Sequence, residues 1–331
     1  CHLELSHMKG VAKEHAGLPS FLVDVISKRE YNTDHKVERT RSADEEMWQN
    51  GIQAVGDICN TDDTAEVKAS SRITYHSFVE VFSMDSSRSK KVIEHGIEVA
   101  GNFKSRGLSA TIVPHAPYSV FEELYRLIRA QQEVFPGSVS IHNQETESEN
   151  EMFVSGTGAL MKTFQDFGVE FPREISNGKS SLQNSLPQMV QDQNLLLVHN
   201  TCTSAGDMNH AHAQRGDIYW CTCPNANQYI EKRIPNIPMW LEHNAKVCVG
   251  TDSLASNHQL SILEELKLIN HHYPEIELET LLNMATLHGS QALQLDKKLG
   301  SFDKSKLPGV ILIRNVNQNR FTEETTVQRI I

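Results

Sequence analysis

Short apolar runs alternate with longer amphipathic segments along most of this chain, and this alternation restricts its possible folds more than any other feature. The short runs have the length and composition of buried strands, and the segments between them have the spacing of helices with one apolar face. Such a pattern predicts parallel strands covered by helices. The predicted strands are the end of a first strand at 1–3, then 51–59, 73–82, 110–114, 138–142, 194–199, 217–223 and 246–252.

Eight strands in alternation with helices predict an α/β fold of the (β/α)8 TIM-barrel type, which we expect to occupy residues 1–299. The chain of 331 residues is longer than a typical domain, but barrels of this kind often reach that length as one unit. Their chemistry lies on the loops that follow the carboxyl ends of the strands. Polar residues at those ends are therefore the candidates for a site.

Residues 300–331 follow a different pattern. Gly300-Ser301 and Pro308-Gly309 interrupt the chain, and short apolar strands are predicted at 310–313 and 325–331. A segment of this size cannot bury a core by itself. We expect it to be the C-terminal part of a small β-domain of sandwich type, whose N-terminal half would precede residue 1.

The charge balance bears on the kind of partner. The net charge is −11 and the chain has no run rich in lysine or arginine, which argues against nucleic acid or an anionic membrane and favours a small-molecule substrate. No apolar run approaches the roughly 18 residues of a membrane span. The six cysteines do not form a disulfide framework, so we expect reduced thiols and a cytoplasmic protein, with an upstream targeting segment left open.

One strand end carries a pattern with direct chemical meaning. The predicted strand 138–142 delivers His142 at its carboxyl end, and Glu145 follows three residues later. An imidazole and a carboxylate so placed can face one cavity, the first as a metal ligand and the second as a proton carrier for a metal-activated water. The alternative is that His142 is a hydrogen-bonded structural residue, and the pattern alone does not separate the two.

Three further strand ends carry ionisable residues. His2 follows the first strand, His199 ends the strand 194–199, and Asp252 ends the strand 246–252. Taken singly, His199 could be a satisfied core histidine and Asp252 a helix cap. Burying all of these groups unpaired would cost several kcal/mol each, so their joint placement favours a shared metal ion. Nitrogen and oxygen ligands from separate strands, with one position open for water, are typical of catalytic zinc.

Several ordered motifs resemble those of a known family. They are CHLELSHMKG at the start of the chain, PHAPYS at 114–119, HNQETE at 142–147, the strand that ends in His199, CPNAN at 223–227 and GTDSLASN at 250–257. Together they are similar to the amidohydrolase superfamily, over nearly the whole chain. The most similar branch contains metal-dependent nucleoside and nucleobase deaminases and chlorohydrolases, including S-adenosylhomocysteine, 5'-methylthioadenosine and aminodeoxyfutalosine deaminases.

This resemblance implies a set of metal ligands. In the family the first strand ends in HxH, and His2 matches its second histidine, so that the first would lie two residues earlier, outside this chain. The other implied ligands are His142 and Asp252. Two-metal members bridge their metals with a carboxylated lysine, commonly from the fourth strand, and the predicted strand 110–114 has none. The implied cofactor is one divalent metal ion, with Zn²⁺ preferred and Fe²⁺ as the alternative.

The resemblance also implies catalytic and substrate-binding residues. Glu145 matches the carboxylate that acts as acid and base, and His199 matches the histidine that polarises the water or the tetrahedral intermediate. Asp252 would pass a proton to the departing ammonia. His115 of PHAPYS matches a residue that contacts purine or ribose, with a loop-capping histidine as the alternative. Glu4, just after the first strand, could line the substrate mouth or belong to a surface loop.

The resulting prediction is a cytoplasmic hydrolytic deaminase of an aminated purine nucleoside or related heterocycle. A chlorohydrolase or another cyclic-amidine hydrolase on the same site is the first alternative, because the water chemistry is shared and only the leaving group differs. A catalytically silent binding protein is the second alternative, suggested by the missing histidine. Relatives are often homodimers, and the resemblance therefore implies a homo-oligomer.

Overall fold

The computed structural model describes residues 1–30, 33–171 and 175–331. Within these ranges, no helix combines the length and the apolar character needed to cross a bilayer. All six cysteines are free thiols.

Seven parallel strands form the centre of the molecule. They are β1 (Ala54–Cys59), β2 (Thr74–Val81), β3 (Ser109–Pro114), β4 (Val139–Asn143), β5 (Leu195–His199), β6 (Ile218–Thr222) and β7 (Lys246–Val249). They are hydrogen-bonded in two sheets, one ordered β1-β2-β3 and the other β4-β5-β6-β7. Every residue of β4, β5 and β6 is buried, as expected for parallel strands that are covered on both faces.

The two sheets meet at their carboxyl ends, where the backbone N–H of His142 donates to the carbonyl of His115 at 2.9 Å. Seven of the predicted strands are confirmed, with ends that differ by a few residues. The prediction of a strand at 1–3 is wrong for Leu3, which begins a 3-10 helix, Leu3–Met8. Cys1 alone bonds like a strand residue, because it donates to Gly56 and accepts from Ile58 of β1.

Helices surround these strands and carry most of the remaining core. They are α1 (Leu18–Lys28), α2 (Lys36–Gln49), α3 (Ala65–Ser70), α4 (Ser89–Ser105), α5 (Glu122–Arg129), α6 (Glu147–Ser155), α7 (Ala159–Asp166), α8 (Ser181–Ser185), α9 (Ala205–Gln214), α10 (Pro224–Glu231), α11 (Ile237–Glu242), α12 (Ile262–His272), α13 (Leu278–Ala285) and α14 (Leu287–Ala292). Trp220 of β6 and Trp240 of α11 are fully buried against each other and mark the packing of helix on strand. The alternation of strand and helix confirms the predicted α/β class.

The C-terminal segment forms a small antiparallel sheet of β8 (Ile311–Arg314) and β9 (Thr326–Arg329). Both strands lie where the sequence predicts apolar runs. Arg329 fastens β9 to the end of α2, since its guanidinium donates to the carbonyls of Trp48 and Ile52 and lies 3.5 Å from the Trp48 ring centre. The chain therefore ends in a distinct β element beside the first helices.

Candidate active site

The carboxyl ends of β4, β5 and β7 bring the predicted residues to one place. Nε2 of His2 lies 3.3 Å from Nε2 of His142 and 3.5 Å from Oδ1 of Asp252. The His142 ring is also stacked on that of His199, with centres 5.4 Å apart. All four side chains are largely shielded from solvent. The parallel arrangement explains this convergence, because the carboxyl ends of adjacent parallel strands face the same edge.

The spacing of these donor atoms suits a small divalent cation. Zinc–nitrogen bonds of about 2.0–2.1 Å in tetrahedral geometry place neighbouring ligand atoms about 3.3 Å apart. The His2–His142 and His2–Asp252 separations of 3.3 and 3.5 Å are close to that edge length. Two imidazoles and a carboxylate are also the ligand types that zinc and iron accept. His2, His142 and Asp252 therefore fit a metal, and His2 is the member that joins the other two.

Glu80 belongs to this site although sequence reasoning did not single it out. Its Oε1 lies 3.2 Å from Nδ1 of His142, and its Oε2 accepts a hydrogen bond from Asn60 at 3.1 Å. Burial alone would raise the pKa of Glu80, but the electrostatic interaction with His115 and the hydrogen bond with His142 outweigh it and hold that pKa well below its usual range. Its position near the end of a predicted strand, 73–82, is the signal that could have revealed it.

The contact with Glu80 determines which nitrogen of His142 is available. Glu80, His115 and His142 form a compact group whose donor atoms all lie within 4.8 Å of one another. Nδ1 of His142 faces both Glu80 and the carbonyl of His115, which is 3.0 Å away. A proton on Nδ1 satisfies these acceptors, so Nε2, which faces His2, is the nitrogen that a metal would bind. Such carboxylate–histidine pairs orient metal-binding imidazoles in many proteins.

Glu145 and His199 form the second half of the site. Oε2 of Glu145 lies 3.7 Å from Nε2 of His199. Burial raises the pKa of Glu145 well above its usual range. Burial lowers the pKa of His199 to about 3, which keeps its imidazole neutral. A carboxyl with a raised pKa beside a neutral imidazole is a suitable pair for proton transfer in a closed site.

Asn227 holds the far side of His199. Its Nδ2 lies 3.1 Å from Nδ1 of His199, and both residues are buried. An amide N–H group only donates, so Nδ1 accepts and the ring proton lies on Nε2, toward Glu145. The structure therefore places Asn227 against a candidate catalytic residue.

Four non-glycine residues of the site have left-handed backbone conformations. They are Gln144 (φ 46°), His199 (φ 74°), Asn200 (φ 54°) and Asp252 (φ 55°). Such conformations are costly for residues with side chains, and they concentrate at functional sites where the surroundings enforce them. Here they turn the chain sharply at strand ends, so that the side chains face inward.

Hydrogen bonds brace the loop that follows Asp252. Ser256 donates to Oδ2 of Asp252 at 2.6 Å, and Asn257 donates to the Thr251 carbonyl at 2.9 Å. Burial would raise the pKa of Asp252, but the electrostatic interactions with His2 and His199 and the hydrogen bond from Ser256 outweigh it and lower that pKa. Asp252 is therefore ionised and available as a ligand or a base.

The two predicted substrate-binding residues differ in placement. His115 lines the site, with its ring centre 5.1 Å from that of His142, and its Nδ1 is 2.6 Å from the Ser119 hydroxyl. Burial lowers the pKa of His115 to about 4. Glu4 is only 1% exposed, and its carboxylate binds Arg29 and the backbone amides of Asn60 and Thr61. These contacts use both carboxylate oxygens, and Glu4 is not among the described residues that line the cavity beside His115.

A cavity of about 140 Å³ opens above these groups. One wall consists of the candidate catalytic and metal-binding residues, and the other is an apolar surface on α1. That surface is formed by Leu18, Phe21, Leu22, Val25 and Ile26. A flat heterocycle could therefore lie between apolar side chains with its reacting edge at the polar wall.

Comparison with known proteins gives a family. The model of the amidohydrolase family matches residues 1–327. An adenosine deaminase of Helicobacter pylori is 28% identical over 254 residues, which are 75% of this chain and 61% of that protein. A 5-methylthioadenosine/S-adenosylhomocysteine deaminase of Clostridium tetani is 25% identical over 63% of this chain and 46% of that protein. The chain thus spans about half to two thirds of the length of these relatives.

Solved structures show the same fold. Helicobacter pylori aminofutalosine deaminase in complex with methylthio-coformycin superimposes with a TM-score of 0.82 at 23% identity, over 97% of this chain and 78% of that one. An adenosine deaminase of Xanthomonas campestris with bound zinc gives a TM-score of 0.68 at 19% identity, over 94% and 69%. At these identities the likeness establishes the architecture, and it confirms the barrel-type fold predicted from the sequence.

Proposed function

This chain belongs to the amidohydrolase family, and from that premise we propose that it is a metal-dependent hydrolytic deaminase of an aminated purine nucleoside or a related heterocycle. The observation that carries the proposal is the pairing of Glu145 with His199 beside the donor atoms of His2, His142 and Asp252. This arrangement joins a proton carrier, a neutral imidazole and a set of metal ligands around one cavity. Hydrolysis of a carbon–nitrogen bond in a cyclic amidine needs these three components.

The proposed reaction assigns a task to each side chain. When bound by His2, His142 and Asp252, a divalent cation acts as a Lewis acid and lowers the pKa of water to about 7. Glu145 takes a proton from the attacking water and protonates a ring nitrogen, which makes the amidine carbon more electrophilic. The Nε2–H group of His199 donates to the oxygen on which charge develops. Asp252 takes the remaining proton of the added water and passes it to the amino group, which leaves as ammonia while the carbon–oxygen double bond forms.

Zinc is the preferred metal in this proposal. The ligand atoms present suit zinc, and a relative of the same fold from Xanthomonas campestris was solved with bound zinc. Iron(II) accepts the same ligand types and is the alternative. His115 is proposed to contact the substrate, since it lines the cavity next to His142.

Ammonia release tests the proposal directly. The chain, loaded with Zn²⁺ or Fe²⁺, is incubated with adenosine, 5'-deoxyadenosine, 5'-methylthioadenosine and S-adenosylhomocysteine, and with a chlorinated triazine for comparison. We expect metal-dependent ammonia release from at least one nucleoside. Chloride release without ammonia would replace the deaminase by the chlorohydrolase alternative. A chain that binds neither metal would favour the silent binding protein.

The organisation of the whole protein is also part of the proposal. We place the catalytic unit in residues 1–299 and a part of a small β-domain in 300–331, supported by the separate sheet of β8 and β9. The family resemblance supports a homodimer. The free cysteines support a cytoplasmic location. Size-exclusion chromatography with light scattering tests the dimer.

A further inference from the structure

We propose that Glu149 is a positioning residue for Glu145, an inference that rests on the proposed function. Oε1 of Glu149 accepts the backbone N–H of Gln144 at 2.9 Å, and Oε2 accepts the backbone N–H of Glu145 at 3.1 Å. One carboxylate thus accepts hydrogen bonds from two successive backbone amides of the turn that contains Glu145. Glu149 does not touch the cavity and acts only through this turn.

The contact is different from ordinary helix capping. Thr146 is the N-cap of α6, and its side chain accepts from Ser148. Glu149 is the third residue of that helix, where a capping-box glutamate would bond the backbone N–H of the N-cap residue itself. Glu149 instead reaches the amides one and two residues before the cap. Its bonds therefore fix the chain between β4 and α6 and not the helix end.

The turn needs such a restraint because its backbone is strained. Gln144 has a φ of 46°, which is unfavourable for a residue with a side chain. The Gln144 side chain is held from the opposite side, since its Nε2 donates to Asp207 at 3.1 Å and its Oε1 accepts from Thr203 at 2.7 Å. The Glu149 carboxylate, which belongs to α6, restrains the backbone of the same turn. Conformations of this kind persist only where the surroundings enforce them.

Burying a carboxylate at position 149 costs desolvation free energy, and the capping of α6 does not need a carboxylate there. Glu149 is 1% exposed, and burial raises its pKa to about 7 despite the two hydrogen bonds from backbone amides. An uncharged residue would spare this desolvation. The carboxylate accepts hydrogen bonds from two N–H groups at once. These bonds set the direction in which the Glu145 side chain points from the turn toward His199.

The test compares Glu149→Gln with Glu151→Gln, a control on an exposed position of the same helix. Glutamine keeps the shape but turns one acceptor into an amino group that faces an N–H. We expect kcat to fall about 10- to 100-fold, because small misplacement of a catalytic group has effects of this size, with KM within about twofold and metal content unchanged. A kcat equal to that of the control would overturn the proposal. If Glu149→Gln does not fold, Glu149→Asp, which is too short to reach both amides, is expected to behave alike.

A second measurement separates this proposal from the proposed function. Hydrogen–deuterium exchange of the peptide that contains residues 142–150 reports on the amides of Gln144 and Glu145 without any substrate. We expect faster exchange of these amides in Glu149→Gln and no change in Glu151→Gln. Inactivity of the unmodified chain on every substrate would defeat the deaminase assignment alone. Unchanged exchange in Glu149→Gln would defeat the positioning role, whatever the activity.

Discussion

The carboxylate of Glu80 lies 3.2 Å from Nδ1 of His142, on the side of the ring opposite to His2. Burial alone would lower the pKa of His142, but the hydrogen bond and the charge of Glu80 outweigh it and raise that pKa to about 9. The contact thus fixes the orientation of the imidazole and keeps a proton on Nδ1, and a divalent cation at Nε2 would displace the second ring proton. Glu80 thereby prepares His142 as a ligand without binding the metal itself.

Replacing Glu80 by glutamine should weaken metal binding about 10- to 100-fold, as is typical when the partner of a ligating histidine is removed. Competition with a chromophoric chelator measures the affinity for Zn²⁺. Glu94→Gln, an exposed change on α4, is the matched control and should bind as the unmodified chain does. Equal affinities in the two variants would show that His142 needs no partner.

Glu145→Gln should abolish deamination while leaving the metal content intact. Glutamine cannot shuttle a proton, and Glu145 is not among the proposed ligands. The expected loss in kcat is at least about 10²-fold, a typical contribution of general acid–base catalysis. Metal analysis and ammonia release are measured on the same sample. Full turnover in this variant would refute the assigned role.

Asn227→Leu should lower kcat about tenfold with little change in KM. Without the donor at 3.1 Å, Nδ1 of His199 can take the ring proton, and Nε2 then loses the N–H group that faces Glu145. Nitrogen-15 NMR of the histidine side chains reports the tautomer. Gln228→Leu, at the next and less buried position of α10, is the control. An unchanged tautomer would contradict the role of Asn227.

We expect the buried ion pair of Lys68 and Asp57, beside β1, to contribute more to the free energy of unfolding than a surface ion pair does. Their charged atoms lie 2.6 Å apart with both side chains fully buried, and Asp57 also accepts the N–H of Leu3 at 2.8 Å. Lys68→Met leaves an unpaired buried charge and should cost about 3–5 kcal/mol of unfolding free energy. The surface pair of Lys36 and Asp63, also at 2.6 Å, is the control, and Lys36→Met should cost less than about 1 kcal/mol. Denaturant unfolding measures both, and similar losses would refute this ranking.

Glu265 should make stability depend on pH. It is fully buried, accepts from the Asn225 backbone and the Asn257 side chain, and burial raises its pKa from 4.5 to about 7. Because the folded state holds this proton more tightly than the unfolded state, stability falls as pH rises from about 4.5 to 7 and levels off above that range. The total is on the order of 3 kcal/mol. Glu265→Gln cannot ionise and should lack this part of the decline; parallel curves for the two proteins between pH 5 and 8 would contradict it.

The sequence by itself determined the architecture and the location of the site. The alternation of short apolar runs with amphipathic segments encodes parallel strands between helices, because each element buries its apolar side at its own periodicity. Since parallel strands end at a common edge, His142, His199 and Asp252 could be placed together from their positions alone. A strand that is buried along its whole length, such as β5, is a short continuous apolar run in the sequence. It can therefore be recognised without knowing which elements pack against it.

Only the tertiary structure decided which side chains touch. The contacts of Glu80 with His142, of Asn227 with His199 and of Glu149 with the turn of Glu145 join residues whose pairing depends on strand register and on left-handed residues at the strand ends. Glu4 is the opposite case. It lies near the site in the sequence, but its carboxylate binds Arg29 and the backbone amides of Asn60 and Thr61. Periodicity reports the face of an element on which a side chain lies, whereas the distance between two polar atoms depends on how several elements pack together.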